Sequence, residues 1–143
     1  MSEETQPVAG KPDCILVAED SPPNRKILMH LLTKLGYDVV ACEDGKQARE
    51  RLESDRPENL VAVISDIMMP NEDGIELLKF VRGSAEYKDM PFLLVTAVVD
   101  RDYIIEAKSL DVNGYILKPV TFQRVTAKLS ELFPHKKFPK LAG

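Results

Sequence analysis

The chain has 143 residues, 44% of them hydrophobic and 29% charged, and a net charge of -4. Such a length and balance suit one domain with a real core, and the mild acidity argues against a general nucleic-acid-binding surface, which is usually basic. No apolar stretch approaches the roughly 20 residues of a membrane-spanning helix, and residues 1–12 contain no apolar signal core, so a cytoplasmic protein with no membrane partner is expected.

Strand and helix patterns alternate along the chain. Residues 14–18 read as a first strand. Pro22 and Pro23 open a helix to about Leu35, with Ile27, Leu28, Leu31, Leu32 and Leu35 on one face and Gly36 as its stop. Residues 38–42 form a second strand, followed by Asp44-Gly45 and a helix to about Ser54. Residues 60–65 are a third strand. Asp73 caps the next helix, which turns Ile75, Leu78 and Val81 inward. Residues 83–90 read as a loop and 91–96 as a fourth strand. A helix from Asp100 carries Ile104, Ala107 and Leu110 inward, and residues 115–117 make a short fifth strand. The last helix runs from about Thr121 to Phe133, buries Val125 and Leu129, and stops at Pro134. Residues 1–12 are expected to be a disordered tail and the basic segment 134–143 a flexible tail or the stub of a linker, around a domain at 13–133.

Alternation of this kind predicts an α/β protein with a doubly wound five-stranded parallel sheet, order 2-1-3-4-5, in a flavodoxin-like three-layer α/β/α arrangement. Ligands in such sheets sit outside the carboxyl ends of the strands. The first strand ends in Glu19-Asp20, the third in Asp66, the fourth in Thr96 and the fifth in Lys118-Pro119. Three carboxylates held together repel, and a hard divalent cation with oxygen ligands, Mg2+ (or Mn2+), relieves the conflict. A carboxylate can act as a nucleophile and form an acyl phosphate, with positioned positive charge stabilising the transferred group. Asp66 is therefore the candidate phosphoacceptor. Glu19, Asp20 and Asp66 are the candidate metal ligands, and Lys118 and Thr96 the candidate partners of the phosphoryl oxygens. Each feature alone has a plainer explanation as an acidic helix entry, a turn residue or a strand end. Their joint order does not.

Over about residues 13–133 the chain resembles the receiver domain of two-component response regulators, of the chemotaxis-regulator type. The resemblance rests on Ile15-Leu16-Val17-Ala18-Glu19-Asp20, Asp66-Ile67-Met68-Met69-Pro70 with Asp73-Gly74, Val95-Thr96-Ala97, and Gly114-Tyr115-Ile116-Leu117-Lys118-Pro119. It implies that Asp66 takes its phosphoryl group from a histidine kinase or histidine phosphotransfer protein. It also implies that the Met68 carbonyl completes the metal shell and that the amides of Met68 and Ala97 bond phosphoryl oxygens. Thr96 and Tyr115 would move together as the switch pair. The kinase-side partner would dock on the first helix. A downstream protein, or a second copy of the chain, would dock on the face of the fourth helix, fifth strand and fifth helix, with Tyr103, Ile105 and Lys108 as candidate exposed contacts. No direct nucleic-acid partner is expected, and no enzyme beyond the domain's own phosphorylation and dephosphorylation chemistry.

Two departures stand out. Asn71-Glu72 precedes Asp73-Gly74 where many relatives place a hydrophobic residue, which alters loop packing. The resemblance implies that the positions two after Asp66 and two after Thr96 tune attack of water on the phosphoryl group; Met68 and Val98 stand there and cannot orient water by hydrogen bonding, so slow self-dephosphorylation is expected. An aspartate-nucleophile hydrolase of the haloacid-dehalogenase type would need a second Asp where this chain has Met68. A flavin-binding protein would not place Glu19-Asp20 beside a phosphate. A receiver-shaped module that never accepts phosphate does not account for the full set of site residues. Cys14 and Cys42 are read as buried thiols, and His30 and His135 as solvated.

Overall fold

A computed structural model describes residues 10–97 and 101–136. Five strands alternate with five helices: β1 (Cys14–Ala18), α1 (Pro22–Lys34), β2 (Asp38–Cys42), α2 (Gly45–Ser54), β3 (Leu60–Asp66), α3 (Gly74–Gly83), β4 (Phe92–Thr96), α4 (Arg101–Ser109), β5 (Gly114–Leu117) and α5 (Phe122–Leu132). The strands form one parallel sheet in the order β2-β1-β3-β4-β5, the doubly wound arrangement expected from the sequence. The expected start of α4 at Asp100, Val98, and the tail residues 1–9 and 137–143 lie outside the described residues.

The alternation of side chains along each strand divides the core in two. Cys14, Leu16, Val63, Phe92 and Leu94 face α2, α3 and α4, where they meet Ala48, Leu52, Leu78 and Ala107. Ile15, Val17, Ile64, Leu93 and Val95 face α1 and α5, where they meet Leu28, Leu32, Val125 and Leu129. Both cysteines are buried and unbonded, as expected, and burial pushes the Cys42 thiol up to about 11.

Local chemistry fixes the helix ends. Asp44 caps α2 through the Gln47 amide at 2.8 Å. Asp73 and Glu76 form a reciprocal capping box on α3, and Thr121 caps α5. Leu35 is the last half-helical residue of α1, and Gly36 takes the left-handed conformation (φ 96°) just beyond it.

At the amino end of the sheet Arg82 acts as a clasp. Its guanidinium donates to the carbonyls of Leu110 (2.9 Å), Lys88 (3.0 Å), Met90 (2.7 Å) and Asp111 (2.9 Å), and to the Asn113 side chain (3.1 Å). One residue thereby ties α3 to the loops that lead into β4 and β5. Residues at the expected tails also meet the body. The Asn59 amide donates to the Lys11 carbonyl at 3.1 Å, and Lys136 lies over the Tyr37 ring at 4.1 Å and 3.6 Å from Asp13.

Several boundaries and faces differ from the sequence reading. β3 continues through Asp66, and α3 continues through Gly83. Ile27 is 45% exposed, because α1 buries the narrower stripe of Leu28, Leu32 and Leu35. Tyr103 is half-buried rather than exposed: it lies four residues before Ala107 and shares its inward face. Ile105 is exposed, as expected.

Candidate functional site

The strand order sets β1 beside β3, so the chain after β1 and the end of β3 open on the same side of the sheet. There Glu19, Asp20, Asp66, Met68, Thr96, Ala97 and Lys118 line one cavity of about 500 Å3, together with Ser21, Ile67 and Tyr103. All the site residues expected from the sequence converge on it except Tyr115.

Asp66 is the last residue of β3 and is nearly buried. Its Oδ2 accepts a hydrogen bond from Lys118 Nζ at 2.7 Å. Lys118 follows β5, its own amide donates to the Thr96 carbonyl at 2.9 Å, and its peptide bond to Pro119 is cis. Burial pushes the Lys118 ammonium down, but the bond to Asp66 and the charges of Asp66, Glu19 and Asp20 outweigh it and hold the group above its usual range.

Glu19 is wholly buried. Its Oε2 accepts from the Ser21 amide at 3.2 Å, whereas Oε1 has no hydrogen-bond partner and stands 3.7 Å from Lys118 Nζ. Burial raises its pKa to about 7; the Ser21 amide works against the rise, the Asp66 charge adds to it, and Lys118 opposes it. Its backbone is pinned on both sides, by the Glu19 amide on the Cys42 carbonyl (3.0 Å) and by Arg25 Nη1 on the Glu19 carbonyl (2.8 Å).

Buried Glu19, exposed Asp20 and buried Asp66 each offer one carboxylate oxygen, all within 4.8 Å of one another. A buried carboxylate oxygen with no donor is costly unless it meets a proton or a cation. The donors are all hard oxygens, and the exposed position of Asp20 leaves room for water in the shell. The residues present therefore fit a small divalent cation such as Mg2+, which keeps several waters and takes few carboxylates.

Tyr115 lies on the other side of Thr96. It is half-buried, and its hydroxyl donates to the Ile104 carbonyl of α4 at 3.3 Å. With Thr96, Ile104, Leu117, Arg124 and Lys128 it lines a mainly apolar cavity of about 450 Å3 between α4, β5 and α5. Thr96 thus forms part of the wall of both cavities.

Several supporting residues make contacts that the sequence reading did not include. Ser65 Oγ donates to the Asp66 carbonyl at 2.8 Å. Gly74 passes so close to that carbonyl that a Cβ there would overlap it, and its amide donates to Ile67 at 2.8 Å. Asn71 takes a left-handed conformation (φ 67°) and donates to Asp44 at 2.6 Å, while Glu72 pairs with Arg49 at 2.6 Å. Of these, Gly74 falls in the Asp73-Gly74 motif and Asn71-Glu72 is the departure noted in the sequence; nothing in the sequence pointed to Ser65 or to Arg49 as a partner of Glu72.

A family profile described as the response regulator receiver domain matches residues 15–130. The chemotaxis protein CheY of Pseudomonas aeruginosa is 39% identical over 120 residues, covering 83% of this chain and 94% of that protein. A CheY homolog of Campylobacter jejuni is 38% identical over 119 residues, covering 82% and 90%. Among solved structures, the chemotaxis response regulator CheY4 of Vibrio cholerae superposes with a TM-score of 0.77 at 28% identity, covering 86% of this chain and 100% of that one. The receiver domain of a sensor histidine kinase of Pseudomonas aeruginosa, with a magnesium ion coordinated in its active site cleft, gives a TM-score of 0.74 at 26% identity, covering 84% and 96%. With its fold, its acidic cavity and these matches, the chain belongs to the response regulator receiver domain family and is a CheY-like domain of a two-component system.

Proposed function

We propose that this domain is a phosphoaspartate switch in which Asp66 accepts a phosphoryl group from a phosphohistidine of a histidine kinase or phosphotransfer protein. The observation that carries the reading is the 2.7 Å contact between Lys118 and Asp66 in a cavity where a buried carboxylate oxygen of Glu19 has no hydrogen-bond partner. An Asp66 carboxylate oxygen attacks phosphorus, the P–N bond to the donor imidazole breaks, and its electron pair stays on that nitrogen. Glu19 and Asp20 would hold Mg2+ with Asp66 and the Met68 carbonyl, and the ion when bound neutralises the phosphoryl oxygens. Lys118 supplies a fixed positive charge beside Asp66. The amides of Met68 and Ala97 and the Thr96 hydroxyl are the remaining donors for those oxygens.

The same reading assigns the output. Thr96 lies between the acidic cavity and the apolar one, so its movement toward a phosphoryl oxygen frees volume beside Tyr115. A phosphoryl group that interacts better with the inward arrangement shifts the population toward it. The α4–β5–α5 face carries exposed Ile105 and Leu117 beside the cavity and is the surface we assign to a downstream protein or a second copy of the chain. Ile27 on α1 and Met68 on the β3–α3 loop are the exposed apolar residues we assign to the phosphohistidine-bearing partner. Met68, 61% exposed and unable to hold a water, is expected to leave the phosphoryl group long-lived.

Incubation with Mg2+ and acetyl phosphate, read by intact mass, tests the acceptor. A metal-dependent gain of one phosphoryl group that Asp66→Asn abolishes is the expected result. Failure to gain it from both acetyl phosphate and a phosphohistidine protein would refute the reading.

A further inference from the structure

The β3–α3 loop, residues 67–73, carries Met68 at one end and Asn71-Glu72 at the other. Its near end is fixed by the Ile67 amide on the Val95 carbonyl (3.2 Å) and by the Gly74 amide on the Ile67 carbonyl (2.8 Å). Its far end is held by α2, an element that lines no part of the acidic cavity. Arg49 grips Glu72 through Nε at 2.7 Å and 3.0 Å and through Nη2 at 2.6 Å. Asn71 Nδ2 donates to Asp44 Oδ2 at 2.6 Å, and the Gly45 amide donates to the Glu72 carbonyl at 3.0 Å. A Cβ on Gly45 would strike that carbonyl, so the two backbones meet at the closest approach a glycine permits.

The segment doing the holding is also tied to the opposite wall of the cavity. Three residues before Gly45, the Cys42 carbonyl accepts from the amide of Glu19. Residues 42–49 therefore join Glu19 to the Asn71-Glu72 end of the loop, and none of them lines the acidic cavity.

We propose that Arg49 and Glu72 are positioning residues for the cation site: their ion pair latches the β3–α3 loop to α2 and so sets where that loop stands relative to Glu19, Asp20 and Asp66. The inference rests on the phosphoacceptor reading with Mg2+ as the ion. Outer partners that orient a metal site typically change its affinity about 10–100-fold when removed. The Arg49–Glu72 pair acts at one further remove, so an effect near about tenfold is expected.

The sign of the effect in one variant separates the latch from simple electrostatics. Removing the positive charge of Arg49 would by Coulomb attraction alone tighten binding of a cation. Loss of the latch would loosen it. Mg2+ affinity is measured by titration calorimetry on the full chain, for wild type, Arg49→Ala, Glu72→Ala and the double variant. Arg82→Met, which breaks the clasp at the other end of the sheet, serves as a destabilised control. Thermal melting confirms that each variant is folded.

The expected result is weaker Mg2+ binding by about tenfold in both single variants, no further loss in the double variant, and no change in Arg82→Met. Unchanged or tighter binding in Arg49→Ala would overturn the latch, as would an equal loss in the Arg82→Met control. A wild-type protein that binds no Mg2+ would instead sink the phosphoacceptor reading on which the latch rests, and the two failures are therefore distinguishable.

Discussion

Glu19 makes the metal-free protein sensitive to pH in the direction opposite to most carboxylates. Its folded pKa of about 7 lies above the ordinary value of 4.5, mainly through burial. A group raised in this way binds its proton more tightly in the folded state. The stability it contributes is complete below the unfolded value and is lost as pH climbs through the folded one. Converted through linkage, the difference between about pH 5 and about pH 8 is on the order of 2–3 kcal/mol. Glu19→Gln keeps the shape and cannot ionise, so it should lack this slope. Urea unfolding with chelator present, at both pH values, gives the stability of each protein. Subtracting the variant from the wild type removes the pH-dependent contributions common to both. Excess Mg2+ should reverse the trend in the wild type alone, because the cation takes the proton's place and stabilises the folded state by mass action. If the wild type loses no more stability than Glu19→Gln between the two pH values, the argument from burial is refuted.

Three further outcomes follow from contacts elsewhere. Gly74→Ala forces a Cβ into the Asp66 carbonyl, and it should cost about 3 kcal/mol and slow phosphorylation by displacing the acceptor strand, as read by denaturation and by mass. Arg82→Met leaves four backbone carbonyls and Asn113 without their donor; most can recover water, so a loss of about 3 kcal/mol in urea unfolding is expected, with acetyl-phosphate labelling unchanged. Asp73→Ala removes half of the capping box on α3 and should lower stability by about 1 kcal/mol, a value a calorimetric melt can resolve.

Much of this molecule is legible in its sequence because parallel strands buried on both faces leave near-continuous apolar runs. Cys14–Ala18 and Asp38–Cys42 fall at the expected positions, and the strand order follows from the alternation. The meeting of Asp66, Glu19, Asp20, Thr96 and Lys118 was readable for the same reason, since chain ends on one side of such a sheet are brought together by topology alone. Helix faces were less legible. Five apolar residues on α1 cover more arc than one side of a sheet can bury, and the pattern does not say that Ile27 is the one left outside. On α4, the i, i+4, i+7 row of Tyr103, Ala107 and Leu110 competes with the row through Ile104, and only packing against the core decides between them. The contacts of Arg49 with Glu72 and of Asp44 with Asn71 join residues 23 and 27 positions apart, and no local periodicity encodes them. Nor does a sequence show that Glu19 is wholly enclosed, the fact on which its proton affinity depends.

The clasp of Arg82 lies at the end of the sheet where strands begin, and the carboxylates lie at the end where they finish. A parallel sheet thus gives the domain a durable pole and a reactive pole, separated by the length of its strands. Substitutions that alter cohesion at the first pole need not disturb chemistry at the second. A lineage of such domains can therefore adjust its tolerance of heat or denaturant through residues around Arg82 without altering the acidic end, and thermal tolerance becomes a trait selectable apart from the chemistry at that end.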